Sequence, residues 1–137
     1  MSQRDNRILL HLRNKTGFHD GLYGLVAGHL DGNETATQAA IREAKEETSI
    51  ILNPKDVKTV HVMHRIEGIE YIDIFVQCSS WKNSIENLEP RKCRELRFFD
   101  KGNLPLNTIP YVRRALSNIN AGTHYSEFGW EQQDPCR

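Results

Sequence analysis

Glu43, Glu46 and Glu47 stand at i, i+3 and i+4, so on a helix their three carboxylates share one face. Like charges at those spacings cost about 0.2–0.5 kcal/mol per pair. Near a helix C-terminus the macrodipole disfavours each anion by about another 0.3–1 kcal/mol. A hard divalent cation offsets both costs: it takes oxygen ligands, and magnesium in particular binds a few carboxylates together with substrate phosphates. The plainer alternative is a solvated helix face in which Arg42 pairs with Glu46 and Lys45 points to water. Upstream, the glycine-bearing stretch from Ala27 to Glu34 leads straight into this region, and loops of that kind let backbone amides approach phosphate oxygens. It contains neither G-x-x-x-x-G-K-[ST] nor G-x-G-x-x-G, so P-loop and Rossmann chemistry are not indicated.

Positioning these carboxylates requires a helix, and Thr35 to Thr48 predicts one. Thr35 and Gln38 form a capping-box pattern, and Ala36, Ala39, Ala40, Ile41 and Ala44 make a small apolar stripe. At 1.5 Å per residue this helix is about 21 Å long. Before it, Ile8 to Arg13 reads as a buried strand ended by the turn-forming Asn14-Lys15-Thr16-Gly17, and Gly21 to Gly28 as a short extended piece. After it, Val57 to His64 and Tyr71 to Cys78 form a hairpin around Gly68. Within it, Ile72, Ile74, Val76 and Cys78 are expected on the buried face, opposite Asp73 and Gln77. Leu96 to Phe99 is a further strand. A closing helix runs from Pro110 to Asn120, with Pro110 in the tolerant first turn and Gly122 just past the end. The order β, β, α, β, β, β, α predicts an α/β fold in which helices sandwich a sheet.

Composition narrows the function classes. With 137 residues, 38% of them apolar and 26% charged, the chain fits one domain, with no repeat or linker to divide it. Lys plus Arg and Asp plus Glu number 18 each, so no net charge draws the molecule to polymeric nucleic acid or an anionic membrane. The first seven residues lack the apolar core of a signal peptide, and no apolar run approaches a membrane span, so the expectation is a cytoplasmic protein. Cys78, Cys93 and Cys136 have no Cys-x-x-Cys spacing and are expected to be reduced, structural thiols. His61 and His64 lie three apart on a strand and so face opposite ways, which argues against a shared metal.

Taken together, Gly28, five residues, Glu34, seven residues and Arg42-Glu43-Ala44-Lys45-Glu46-Glu47-Thr48-Ser49-Ile50 closely resemble the Nudix box, G-x5-E-x7-R-E-U-x-E-E-x-G-U, where U is a bulky apolar residue. Two positions depart from it: Ala44 is small, and Ser49 replaces the glycine that ends the helix. Glycine suits a left-handed C-terminal position, so Ser49 either costs about 1 kcal/mol or ends the helix differently. The segments LYGLVAGHLDGNET, NLEPRKCRELRFFD and LPLNTIPYVRRAL look like the bacterial MutT-like branch.

The resemblance implies a Nudix-type α-β-α sandwich with a mixed sheet over residues 1–137. It also implies hydrolysis of a nucleoside diphosphate linked to another group, with magnesium or manganese as cofactor. The lead expectation is cleavage of a nucleoside triphosphate or modified nucleotide to monophosphate and pyrophosphate. Nucleotide sugars, ADP-ribose, dinucleoside polyphosphates and a non-catalytic nucleotide sensor are the alternatives. Such proteins occur as monomers and homodimers. By the same resemblance Glu43, Glu46 and Glu47 are metal ligands, joined by the Ala27 carbonyl and by Glu34 directly or through water, while Arg42 orients Glu43. Glu43, Glu46 and the loop residue Glu89 are the candidate bases, with Glu89 a candidate ligand as well and an exposed loop acid as its alternative. Arg91, Lys92 and Arg94 make a basic stretch able to meet phosphates. Phe18, Tyr23, Phe75 and Trp81 are candidate stacking surfaces for a base, with the core as their alternative place. Asn107 resembles the asparagine that reads a purine edge in MutT-like enzymes, with helix capping or turn formation as its alternative.

Overall fold

Two small sheets face each other across an apolar core. The computed structural model describes residues 3, 4, 6–26 and 32–130. The first sheet is antiparallel: β2 (Arg7–Arg13) lies between β6 (Cys93–Asp100) on one side and the short β1 (Gln3–Arg4) and β3 (Tyr23–Gly24) on the other. In the second, β4 (Val57–Glu67) pairs antiparallel with β5 (Ile69–Cys78) through a turn at Gly68 and parallel with β7 (Tyr125–Phe128). The strands at residues 3–4 and 125–128 are not expected from sequence. Both are too short to show a period of two, and β7 is defined by its partner rather than by its own pattern.

Helix α1 (Ala36–Thr48) starts as its sequence dictates. The Thr35 side chain accepts from the Gln38 N–H, and the Gln38 side chain accepts from the Thr35 N–H, so two otherwise orphaned donors are satisfied. At its end Ser49 takes the left-handed conformation, with φ 70°, and its N–H returns to the Lys45 carbonyl. Serine here does what the box glycine does, at the strain of a Cβ in that region. Helix α2 (Pro110–Asn120) opens on Pro110 and buries Val112 and Ala115.

The main core joins both sheets to α2: Ile8 and Leu10 from β2, Tyr23 from β3, Met63 from β4, Phe75 from β5, and Ile109, Val112 and Ala115. A second cluster, Ala44, Ile50, Leu52 and Cys78, with Ile41, Val57, Trp81 and Ile85 packed on it, seats α1. Phe75 and Cys78 are odd and even positions of one strand, so α2 and α1 cover opposite faces of the second sheet. Cys78 and Cys93 are buried and unbridged, and Cys136 lies outside the described residues. His61 points inward, bonded to the Thr123 carbonyl and the Ser126 hydroxyl, whereas His64 points outward to Glu70, as strand alternation requires.

One face assignment is corrected. Ile72 and Ile74 are 61% and 42% exposed, while Phe75 on the opposite face is buried. Cys78, on the same face as these two, is buried under α1 as expected, so the apolar alternation is exposed only toward the Gly68 end of β5, where the other face carries its own polar solution. Arg65, 4% exposed, is bonded to Asp73 at 2.6 and 3.1 Å and to Glu67 at 3.0 Å, and lies between the rings of Tyr71 and Tyr111 at 4.0 and 3.8 Å. A buried charge that is paired and stacked substitutes for an apolar residue, and periodicity alone does not reveal it.

Gly24 sets how closely α2 approaches the first sheet. A Cβ there would meet Ile109 Cδ1 at 2.9 Å, so glycine lets the start of α2 close onto β3, where Tyr23 bridges Thr108.

Candidate active site

The box carboxylates gather around Arg42. Its Nε and Nη2 donate to the two oxygens of Glu34 at 3.1 and 2.8 Å, a bidentate grip across eight residues. Nη2 also meets Glu43 at 3.1 Å, and Nη1 meets Glu46 at 3.2 Å. Arg42 thus contacts Glu43, and Glu34 and Glu46 as well. Charge-assisted forks of this kind fix geometry more firmly than single hydrogen bonds. Glu34 and Glu43 are shielded, at 15% and 14% exposure, whereas Glu46 is 56% exposed.

Glu47 differs from its neighbours. Its Oε2 is buried with no hydrogen-bond partner among the described residues. Burial first, and then the carboxylates of Glu43, Glu89 and Glu46, push its carboxyl up from 4.5 to about 8, with the Arg13 charge pulling the other way. An orphaned carboxylate oxygen amid like charges is the condition that a hard cation relieves, and every donor present is an oxygen of the kind magnesium or manganese takes. The residues present therefore fit a divalent ion. Among the described residues no three acidic, histidine or cysteine side chains already converge to enclose one, since Arg42 draws Glu34, Glu43 and Glu46 to itself. The Ala27 carbonyl, also expected as a ligand, lies outside the described residues.

Glu89 reaches this group because its loop is strapped to the end of α1. The Glu47 carbonyl accepts from Leu88 N–H at 3.1 Å, the Thr48 carbonyl from Glu86 N–H at 3.0 Å, and the Ser49 carbonyl from the Asn83 amide at 3.3 Å. These bonds satisfy helix-end carbonyls that would otherwise be orphaned. Beyond Glu89, the N–H groups of Lys92 and Cys93 donate to its carbonyl at 3.0 and 2.9 Å, which hands the chain on to β6. Cys93, buried beside this cluster, has its thiol pushed up by desolvation, and the Glu47 and Glu89 charges add to that rise.

The expected substrate contacts fare differently. Tyr23 is 8% exposed; its ring meets Phe99 edge-on at 5.0 Å and its hydroxyl donates to Glu95. Phe75 is 7% exposed and packs against His61. In this structure both rings fill core, because β3 and β5 turn those positions toward α2, and neither offers a face to a base. Trp81 lies nearly parallel to Phe98 and packs on the cluster under α1. Phe18 is 39% exposed at the tip of the 14–22 turn. The Asn107 amide donates to the Gly21 carbonyl at 3.1 Å and caps no helix, since Ile109 is the α2 N-cap. Arg94, with Arg91 and Lys92 preceding it, is exposed and donates to the Asn14 side chain at 3.2 Å.

Among the described residues, Arg13 is the one cation whose charge lowers the Glu47 carboxyl. It ends β2 opposite Cys93. Its Nε donates to the Phe18 carbonyl at 2.7 Å and its Nη2 to the Thr16 hydroxyl at 3.1 Å.

Comparison with known proteins gives the family and the fold. The NUDIX domain family model matches residues 1–117. The ADP-ribose pyrophosphatase of Methanocaldococcus jannaschii is 30% identical over 110 residues, a match spanning 75% of this chain but only 60% of that protein. The crystal structure of the MutT NUDIX hydrolase from Burkholderia pseudomallei superposes with a TM-score of 0.76 at 25% identity, over 85% of this chain and 97% of that one. The MutT protein from Methanosarcina mazei Go1 shares the fold with a TM-score of 0.72 at 17% identity, over 88% of each chain. A family match across most of the sequence, on a shared fold and with the box carboxylates collected on Arg42, makes this protein a member of the Nudix family.

Proposed function

We propose that the protein is a divalent-metal-dependent pyrophosphohydrolase that cleaves a nucleoside triphosphate or modified nucleotide to nucleoside monophosphate and pyrophosphate. The observation that carries this reading is the buried, unpartnered Oε2 of Glu47 beside Glu43, Glu46 and Glu89. A charge excess of that kind is costly in a folded chain and is relieved by a cation that also binds phosphate. Magnesium or manganese, when bound, screens the anhydride and stabilises the leaving oxygen. Glu43, Glu46 and Glu47 would hold it, with Glu34 and the Ala27 carbonyl completing the set. Arg42 positions Glu34, Glu43 and Glu46. Water attacks phosphorus, the bridging P–O bond breaks, the leaving phosphate departs with its electron pair, and a carboxylate takes the proton from water. Glu43, Glu46 and Glu89 are the candidate bases.

A second reading is favoured by the M. jannaschii relative, whose name specifies ADP-ribose. It uses the same site on a linked diphosphate, with a sugar phosphate as the second product. The deciding experiment incubates the purified chain, with and without magnesium, against nucleoside triphosphates, oxidised purine triphosphates, nucleotide sugars and ADP-ribose, and separates the products. Monophosphate with pyrophosphate supports the first reading and monophosphate with sugar phosphate the second. Tight binding without turnover in the presence of metal overturns both in favour of a sensor.

A further inference from the structure

We infer that the outer edge of β5 is a self-association surface, on which a second copy of this chain pairs antiparallel about a two-fold axis at Asp73. The inference is independent of which nucleotide the protein cleaves. Among the described residues β5 is bonded to β4 on one side and forms the border of its sheet on the other. A strand edge presents a row of backbone donors and acceptors that templates another strand, and proteins blunt it by brevity, by proline or by cations along it. The other borders here follow that rule: β1 and β3 have two residues each, β7 has four, and β6 carries exposed Arg94 and Arg97 just after Arg91 and Lys92. The edge of β5 does not. It runs ten residues with no proline, lysine or arginine, and Ile69, Ile72 and Ile74 along it are 66%, 61% and 42% exposed.

The sequence of β5 is self-complementary about that axis. Side chains directly opposite in an antiparallel pair share a face, so pairing over residues 71–75 sets Ile72 against Ile74 of the second copy and Ile74 against its Ile72. An axis one position earlier, at Ile72, would instead set each Ile74 against Glu70. Charge does not oppose the Asp73 register. The two Asp73 carboxylates that meet at the axis are each bonded to Arg65 of their own chain, at 2.6 and 3.1 Å, and Glu70 lies outside the paired residues, joined to His64 at 2.6 Å. Within each sheet the isoleucines continue an apolar row, since Ile74 stands beside Val62 and Val62 beside Tyr125, itself 51% exposed. Edge pairing joins two three-stranded sheets and their two rows into one band. A second copy supplies the matching isoleucines at alternate positions by symmetry, which a strand of unrelated sequence does not.

The test is sedimentation velocity across a concentration series, joined to amide hydrogen exchange. Wild type should form a dimer with a dissociation constant of roughly 1–100 µM, as suits a small interface. Ile72→Lys/Ile74→Lys sets like charges opposite each other twice across the axis and should weaken the dimer by at least about 100-fold. Ile72→Glu/Ile74→Glu should do the same, and an equimolar mixture of the two variants should recover a heterodimer. Packing of the sheet face, rather than its edge, would also bury these isoleucines, and exchange separates the two. Edge pairing slows the outward-pointing amides of residues 71–75 by about 10-fold or more between roughly 1 and 500 µM protein, whereas face packing leaves them unchanged. A wild type that stays monomeric at about 500 µM, a dimer undisturbed by the lysines, a mixture that stays monomeric, or amides that do not slow overturns the inference. Exchange is read on wild type alone, so it decides the matter even if a variant fails to fold.

Discussion

Two arginines in this molecule each collect carboxylates, and they teach opposite lessons. Arg65 is closed: it is 4% exposed, doubly bonded to Asp73, bonded to Glu67 and sandwiched between Tyr71 and Tyr111. Its charge is met by two carboxylates and two rings, so the cluster joins β4 and β5 to α2. Arg42 is overdrawn: Glu34, Glu43 and Glu46 share one guanidinium, and Glu47 beside them has an oxygen with no partner among the described residues. Balanced charge builds structure, whereas surplus charge of one sign at a shielded position calls for a ligand.

The comparison breaks most visibly in kinetics. Glu43→Gln should lower kcat by about 10²–10⁴-fold on any hydrolysed nucleotide while leaving metal-free stability unchanged or raised, since one repulsive neighbour of Glu47 is gone. A steady-state assay paired with urea unfolding checks both halves. Arg65→Met should do the reverse, costing about 3–5 kcal/mol of unfolding free energy because Asp73 and Glu67 are left without their cation. A fully stable Arg65→Met protein would show that the two clusters do not differ in kind.

The pH dependence sharpens the contrast. Glu47 in the folded chain sits at about 8, above its ordinary 4.5, so between those values the folded state binds more protons than the unfolded one. Its contribution to stability is therefore fully present below about 4.5 and is lost as pH rises through about 8. In metal-free buffer this slope reaches at most about 1.4 kcal/mol per pH unit, and Glu47→Gln should flatten it. Added magnesium should stabilise the protein more at pH 8.5 than at pH 6.5, because the ion takes the deprotonated carboxylate. The smallest effect is at the helix end. Ser49→Gly should raise stability by a few tenths to about 1 kcal/mol without changing activity, because φ 70° strains serine and not glycine.

Local rules made α1 readable from sequence: the capping box, the small apolar stripe and the i, i+3, i+4 glutamates are all short-range patterns, and each stands where they place it. The site's opposite wall was not readable by those rules. Glu89 acquires its place through bonds between its loop and the end of α1. Tyr23 and Phe75 were misplaced because an aromatic residue does not announce which face of a strand it occupies. In β5 the decisive residue was Arg65 on the neighbouring strand, whose need for Asp73 turned that side inward.

The parallel pairing of β7 with β4 also has a consequence in time. Val62 faces Tyr125, 63 residues further along. At translation rates of roughly 5–20 residues per second, about 3–13 seconds pass between the synthesis of these two partners. Throughout that interval one edge of β4 is open, and His61 lacks the Thr123 carbonyl and Ser126 hydroxyl that satisfy its ring. The nascent chain thus carries an unpaired strand edge and an unsatisfied imidazole until its late segment arrives, a template for misassociation while it waits.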